Sequence, residues 1–183
     1  MHRCRRDRAA GRSRREELFR GHAFHRACPG HAPPARALGV TTAPEVAVGA
    51  VIVVDDRILL VRRGRGPAQG EWSIPGGRVL PGETLHEAVV REVREECGLD
   101  VVVERFLGWA ERMGDQPEPY HFVILDFAVG ILDPSEEPVA GDDAAETAWV
   151  ALDDLADWRL VAGLYDFLDD VGVVTDARTS RDG

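Results

Sequence analysis

The sequence contains no lysine, no long hydrophobic run and only three cysteines. Its 22 basic residues, all arginine, are outnumbered by 32 acidic residues, and the net charge of −10 argues against a nucleic-acid partner, for which a domain would be basic. No run approaches the ~18 apolar residues of a membrane span. The first 30 residues lack the apolar segment of a secretory signal. Three scattered cysteines form no disulfide framework, so we expect a cytoplasmic protein with reduced thiols.

The charge is divided unevenly along the chain. Residues 1–40 carry a net of +7, whereas residues 41–183 carry a net of −17. We interpret residues 1–40 as a mostly disordered, Arg-rich extension, residues 41–174 as one domain and residues 175–183 as a tail. Alternatives for the extension are a transit peptide, a true start near Val40, or an arm that binds an anionic surface. A zinc site is a further alternative, on the repeat of His22, His25, Cys28 and His31.

Apolar runs separated by turn signals predict an α/β domain. We predict strands over Val46–Val54, Ile58–Val61, Trp72–Ile74, Val101–Trp109, His121–Val129 and Ala148–Ala151. Thr84 and Glu87 form a capping box and Gly98 is a C-terminal stop, which together predict a helix. A second helix is predicted over Val161–Val171. These elements indicate an α/β sandwich around a mixed sheet.

The first helix places three glutamates on one side. Its apolar stripe, which we expect to face the core, is formed by Leu85, Val89, Val93 and Cys97. Glu92, Glu95 and Glu96 fall within a neighbouring arc of roughly 100°. Carboxylates four residues apart repel each other, and acidic side chains near the C-terminal end of a helix oppose its dipole. A divalent cation relieves the repulsion, because Mg²⁺ binds carboxylate oxygens together with waters and substrate phosphates.

A solvated charged face is the alternative interpretation of this helix. Pairs four residues apart between Glu87, Arg91 and Glu95 would hold such a face without a metal. That ladder leaves Glu92 and Glu96 without partners, and these two unpaired glutamates favour the metal site.

The stretch from Gly77 to Leu99 resembles the signature of the Nudix hydrolases. The signature is Gly, five residues, Glu, seven residues, then Arg-Glu-aliphatic-any-Glu-Glu-any-Gly-aliphatic, and the chain matches every fixed position. Those positions are Gly77, Glu83, Arg91, Glu92, Val93, Glu95, Glu96, Gly98 and Leu99. The resemblance covers the chain from Val46 to Val171. It implies that family's α/β/α sandwich around a mixed β-sheet, of the MutT-like or ADP-ribose pyrophosphatase-like type.

The resemblance also implies an activity and a metal. Members hydrolyse a nucleoside diphosphate linked to another group X, with Mg²⁺ or Mn²⁺. By position, Glu92 and Glu96 would be the principal metal ligands. Glu95 would be a further ligand or would help to activate the attacking water.

Supporting roles follow from the same resemblance. Arg91 would orient the glutamates by salt bridges and act in catalysis with them. Glu83 would support the metal shell. The turn at Gly76 and Gly77 would bring a backbone carbonyl to the metal, which a bulky side chain would obstruct.

Residues outside the signature are candidates for substrate binding. Three arginines precede it in a Gly- and Pro-rich loop and suit phosphates: Arg62, Arg63 and Arg65. Relatives often supply a further carboxylate before the last strand, where this chain has Asp142, Asp143 and Glu146. Five aromatic side chains offer rings for a nucleobase, although each is more often part of a core: Trp72, Trp109, Tyr120, Phe122 and Trp149.

The resemblance implies a small nucleotide substrate, ADP-ribose or a similar derivative. ADP-ribose hydrolases commonly carry a proline about fifteen residues after the signature, where this chain has Gly114. The alternative is a nucleoside triphosphate pyrophosphatase that cleanses nucleotide pools, whose members the RRGRG loop resembles. A non-catalytic nucleotide-binding module and an isoprenoid diphosphate isomerase are rivals that the intact glutamates disfavour. A homodimer is an expectation from the family alone.

Overall fold

The computed structural model describes residues 43–65, 68–115, 119–141 and 144–174. The strands are β1 (Glu45–Val51), β2 (Val53–Val54), β3 (Arg57–Arg63), β4 (Trp72–Ser73), β5 (Gly76–Arg78), β6 (Val101–Gly114), β7 (Tyr120–Ile131) and β8 (Ala144–Ala151). The helices are α1 (Leu85–Cys97), a 3-10 helix (Leu152–Asp157) and α2 (Leu164–Asp170). The expectations for residues 1–40 and 175–183 lie outside the described residues. None of the described helices is long and apolar enough to cross a membrane.

Two sheets organise the domain. The first has the strand order β5-β1-β7-β6, in which β1 runs parallel to β7 and the other neighbours are antiparallel. The second is antiparallel and pairs β3 with β2, β4 and β8. Helix α1 packs against β1, β5 and β6. The predicted α/β fold with a mixed sheet is therefore confirmed.

The signals at both ends of α1 act as predicted. The side chain of Thr84 accepts from the backbone N–H of Glu87, whose carboxylate in turn accepts from the Thr84 N–H. Gly98 ends the helix in the left-handed conformation, with φ of 70°, and its N–H donates to the Arg94 carbonyl. The helix is thereby fixed in register from local sequence alone, which sets the direction of its glutamates.

Several strands differ from their predicted bounds. Strands β6 and β7 form a long hairpin that extends to Gly114 and Tyr120, because cross-strand pairing continues through the more polar residues beyond the apolar run. Strand β8 begins at Ala144, four residues earlier than predicted, since it pairs along β3. Residues 76–78 were expected as a turn, but they form β5 along β1. Helix α2 begins later than predicted, after Gly163.

The core forms on both sides of these sheets. Val89, Val93 and Cys97 of α1 are buried against the first sheet, which confirms the predicted apolar stripe. Cys97 is 0% exposed, and burial raises the pKa of its thiol to about 12, as expected for a small apolar residue rather than a reactive thiol. A second cluster packs α2 and the 3-10 helix against β3 and β8. Trp109 is 64% exposed, so its expected place in the core is wrong.

Candidate active site

Three of the four glutamates of α1 share one cleft. Glu92, Glu95 and Glu96 line a depression of about 660 Å³ together with Gly76 and Gly77 of β5. The helix supplies the carboxylates, and the short strand brings backbone close to them. The arc expected from helical spacing is therefore present, and it opens onto a space large enough for a small ligand.

Arg91 organises the acidic side chains around it. Its guanidinium donates to both carboxylate oxygens of Glu83 at 2.7 and 2.9 Å, to Glu92 at 2.8 Å and to Glu95 at 3.0 Å. Hydrogen bonds from this guanidinium and from the Leu80 N–H lower the pKa of Glu83 to about 2. A single cation thus holds three carboxylates in place at the edge of the cleft.

This arrangement corrects the ladder expected from helical spacing. Glu87 does not pair with Arg91, because its carboxylate is committed to the capping box at Thr84. The loop before the helix instead carries Glu83 back to Arg91. Glu92 is therefore partnered, contrary to the expectation that the ladder would leave it alone.

Glu92 lies directly against the backbone of β5. A Cβ on Gly77 would overlap the Glu92 carboxylate, so a side chain at residue 77 would force that carboxylate to move. The side chain is 13% exposed. Burial raises the pKa of the carboxyl group, and the hydrogen bond from Arg91 opposes that shift.

Glu96 also has a partner, and it comes from β5. The backbone N–H of Gly76 donates to Oε2 of Glu96 at 2.9 Å. Burial nevertheless raises the pKa of this carboxyl group to about 7, with the neighbouring Glu92 adding to the shift. This hydrogen bond joins helix and strand, and the expected role of the backbone carbonyl at Gly76 and Gly77 as a metal ligand stays a prediction.

The donor set fits a divalent cation held by few protein ligands. Glu92 and Glu96 are hard oxygen donors whose pKa values are raised mainly by burial, and a bound cation would favour their charged forms. No three acidic, histidine or cysteine side chains converge on one point within the described ranges. Mg²⁺ commonly takes only one or two carboxylates and completes its shell with waters and phosphates, so this geometry is compatible with it.

Arginines also line the cleft. Arg62, Arg63 and Arg65 all line it, as expected for candidate phosphate ligands. Arg62 and Arg63 are the last residues of β3 and not part of the loop as predicted, because the strand continues along β8. Arg62 pairs with Glu146 at 3.3 Å across these two strands, and both side chains are about half exposed.

The acidic candidates before the last strand have separate outcomes. Glu146 lies within β8 and not before it, and its carboxylate is directed to Arg62. Asp142 and Asp143 lie outside the described residues.

Asp126 is a site residue that the sequence did not reveal. It lies on β7, lines the cleft and is only 4% exposed. Burial raises the pKa of its carboxyl group to about 6, and the positive charge of Arg112 limits that shift. A lone aspartate within the apolar run of β7 was the available signal, since a buried strand seldom carries a carboxylate.

The domain is similar to known proteins. A family model described as NUDIX domain matches residues 43–171. An ADP-ribose pyrophosphatase from Methanocaldococcus jannaschii is 39% identical over 112 residues, which are 61% of this chain and 64% of that protein. An 8-oxo-dGDP phosphatase from Homo sapiens is 39% identical over 95 residues, 51% of this chain and 28% of that protein. The chain thus spans less than two thirds of the length of either relative.

A solved structure agrees with these matches. The crystal structure of a MutT NUDIX hydrolase from Burkholderia pseudomallei is 34% identical to this chain and superposes with a TM-score of 0.60. The match covers 70% of this chain and 98% of that one. Sequence and fold therefore agree over the same domain.

Proposed function

This chain belongs to the NUDIX family, and from that premise we propose that it hydrolyses a diphosphate linkage in a nucleoside diphosphate joined to another group. The observation that carries the proposal is the cluster of α1 glutamates at a cleft that Arg62, Arg63 and Arg65 also line. A cleft that combines carboxylates with arginines suits a polyanionic substrate bound with a divalent cation.

Glu92 and Glu96 are the residues proposed to hold the cation, which we take to be Mg²⁺, with Mn²⁺ as the substitute. The cation supplies positive charge that neutralises the phosphate oxygens and makes water a better nucleophile. Gly77 leaves the space that Glu92 occupies, and the Gly76 amide fixes Glu96. Both carboxylates are thereby positioned before any ligand arrives, which lowers the cost of ordering them.

Glu95 is proposed as the group that takes the proton from water or adds a further metal ligand. Its side chain is 60% exposed and is tethered to Arg91 at 3.0 Å, so it can reach the solvent side of the cleft. Arg91 and Glu83 are positioning residues, because they act through the glutamates. The arginines at 62, 63 and 65 are proposed to bind the phosphates.

ADP-ribose or a similar nucleotide derivative is the proposed substrate. The archaeal relative named as an ADP-ribose pyrophosphatase supports this choice. The human relative named as an 8-oxo-dGDP phosphatase supports the alternative, a nucleotide that carries a damaged base. Both candidates contain the same diphosphate group, so the substrate choice does not alter the proposed roles of the glutamates.

A substrate panel with one active-site variant tests the proposal. The full chain with Mg²⁺ is incubated with ADP-ribose, nucleotide sugars, dinucleoside polyphosphates, and canonical and oxidised nucleoside triphosphates, and the products are separated by chromatography. We expect cleavage of at least one member, and a loss of turnover of at least about a hundredfold in Glu96→Gln with an unchanged fold. Glu137→Gln, an exposed residue outside the cleft, is the control. Cleavage by Glu96→Gln at the wild-type rate would overturn the proposal.

A further inference from the structure

Asp126 is a buried carboxylate to which the proposed hydrolysis gives no task. Its Oδ1 atom has no hydrogen-bond donor within the described part of the chain. A buried carboxylate oxygen without a donor is unfavourable unless a ligand supplies one. The side chain lines the same cleft as the α1 glutamates, and the residue is 4% exposed.

One strand, β1, lies between Asp126 of β7 and Gly76 of β5. Gly49 of β1 lies beside Asp126 of β7 on one side and beside Gly76 of β5 on the other. Neighbouring strands are about 4.8 Å apart, so the Cα atoms of Asp126 and Gly76 are separated by roughly 10 Å. Gly76 holds Glu96, so the backbone of Asp126 lies two strand spacings from the strand that fixes one proposed metal ligand.

Room for the Asp126 carboxylate depends on Gly49. A Cβ on Gly49 would overlap Oδ1 of Asp126 and would lie 2.8 Å from Cδ1 of Ile74. The carboxylate therefore rests against bare backbone and an apolar side chain. These neighbours hold its position without satisfying its oxygen.

Arg112 provides a donor on the adjoining strand. Its positive charge lowers the pKa of Asp126 against the effect of burial, yet the two side chains form no ion pair within the described residues. Arg112 also lines the cleft, and its Nη1 atom donates to the carbonyl of Glu111. An acceptor and a cationic donor thus line the same cleft without forming an ion pair with each other.

Aromatic rings complete this part of the cleft. Phe122 of β7 and Phe167 of α2 both line it. Phe122 follows the same two-residue alternation as Asp126, so both side chains lie on one face of β7. A flat ring with a polar edge matches this combination of apolar and hydrogen-bonding surface.

We propose that Asp126 and Arg112 recognise the hydrogen-bonding edge of the substrate's nucleobase and thereby select which base the cleft accepts. The carboxylate accepts an N–H of the base, and the guanidinium donates to a neighbouring ring nitrogen or carbonyl oxygen. Base edges present such donors and acceptors side by side. Discrimination is strong at such a site, because the wrong base leaves the buried oxygen without a donor. The inference rests on the proposed function only in taking the ligand to be a nucleotide.

Binding measurements without turnover test the inference. The probes are the non-hydrolysable α,β-methylene diphosphates of adenosine, guanosine, cytidine and uridine, with methylenediphosphonate as the probe that has no base. Calorimetric titration of the full chain with Mg²⁺ is expected to show at least a tenfold preference for one nucleoside over another. Asp126→Ala is expected to reduce that preference at least tenfold while the affinity for methylenediphosphonate stays within about twofold. Asp126→Asn keeps one acceptor oxygen, so its nucleoside preference is expected to lie between those of the wild type and Asp126→Ala.

Matched controls separate recognition from a structural role. Asp100→Ala removes an exposed carboxylate that pairs with Arg94, and it should leave every affinity unchanged. Arg112→Met is the substitute variant if Asp126→Ala does not fold. It removes the donor from a partly exposed position, and the affinity for the preferred nucleoside should fall. The 2′,3′-dideoxy form of the preferred nucleotide shows whether Asp126 senses the sugar instead. Loss of the Asp126 effect with that probe would overturn base recognition, as would unchanged nucleoside affinities in Asp126→Ala.

The two proposals fail separately. If Glu96→Gln abolishes hydrolysis and Asp126→Ala leaves all affinities unchanged, the hydrolase proposal stands and base recognition is wrong. If no substrate is cleaved and the base preference still depends on Asp126, base recognition stands and the hydrolase proposal is wrong.

Discussion

The backbone of Gly77 and the carboxylate of Glu92 are packed so closely that residue 77 has no room for a side chain. Gly77 lies on β5, which pairs with β1 at the edge of the first sheet. Glu92 lies in the second half of α1. Helix and sheet edge therefore fit together at the proposed metal ligand, and the position of Glu92 depends on both.

Replacing Gly77 by alanine should displace Glu92. We expect Gly77→Ala to weaken Mg²⁺ binding and lower turnover at least tenfold, while overpacking costs about 1–3 kcal/mol of unfolding free energy. Metal titration of turnover and urea unfolding measure the two effects. Gly130→Ala is the control, because the nearest atom there belongs to the exposed Glu104 side chain, whereas Glu92 is 13% exposed and held by Arg91. Wild-type metal dependence in Gly77→Ala would contradict the proposed role of Glu92.

Arg91 and Arg94 form a matched pair on one helix. Arg91→Met leaves Glu83 and Glu92 without their shared cation and should destabilise the fold by about 1–3 kcal/mol. Arg94→Met removes only an exposed ion pair with Asp100 and should change stability by less than about 0.5 kcal/mol. We also expect turnover to fall in Arg91→Met alone. Equal stabilities of the two variants in urea would show that the Arg91 network contributes nothing.

Local signals account for the parts of the site that the sequence predicts. The capping box at Thr84 and the stop at Gly98 set the register of α1, and that register alone gathers the glutamates on one side. The family signature adds their expected roles. Neither needs knowledge of the sheet order.

The parts that were missed depend on contacts between distant segments. Strand β5 begins with two glycines, which disfavour strands, and it forms because close packing requires backbone without side chains there. The partner of Glu96 is an amide twenty residues earlier, which no helical spacing reveals. Asp126 belongs to the site because parallel pairing places β7 beside β1, a choice made by the whole sheet.

Stability of the metal-free protein should fall as the pH rises toward neutrality. Burial raises the pKa of Glu96 from 4.5 to about 7 and that of Asp126 from 3.8 to about 6. The folded chain therefore holds these protons more tightly than the unfolded chain, and the stabilisation, complete below about pH 4, is lost as the pH rises to about 7. Glu96 alone accounts for on the order of 3 kcal/mol.

Urea unfolding in EDTA between pH 5 and 7.5 measures this dependence. Glu96→Gln should flatten most of the slope, and Mg²⁺ should restore stability at pH 7.5 because it binds the deprotonated form. The pKa of Glu83 is shifted in the opposite direction, so its contribution to stability changes only at pH values below this range. Stability that increases across this range would show that burial does not raise the pKa values of these two carboxyl groups.

Gly49 and Asp126 should be energetically coupled. Gly49→Ala places a Cβ into Oδ1 of Asp126 and against Ile74, and we expect it to cost about 1–3 kcal/mol. In an Asp126→Ala background the carboxylate is gone and only the Ile74 contact remains, so the same change should cost less. The double-mutant cycle in urea gives the coupling as the difference between the two costs. Because both residues lie on central strands of the first sheet, Gly130→Ala in the same two backgrounds serves as the uncoupled reference. Equal costs of Gly49→Ala in the two backgrounds would mean that the Asp126 side chain can leave its place against β1, and its selectivity for a base edge would then lose its structural basis.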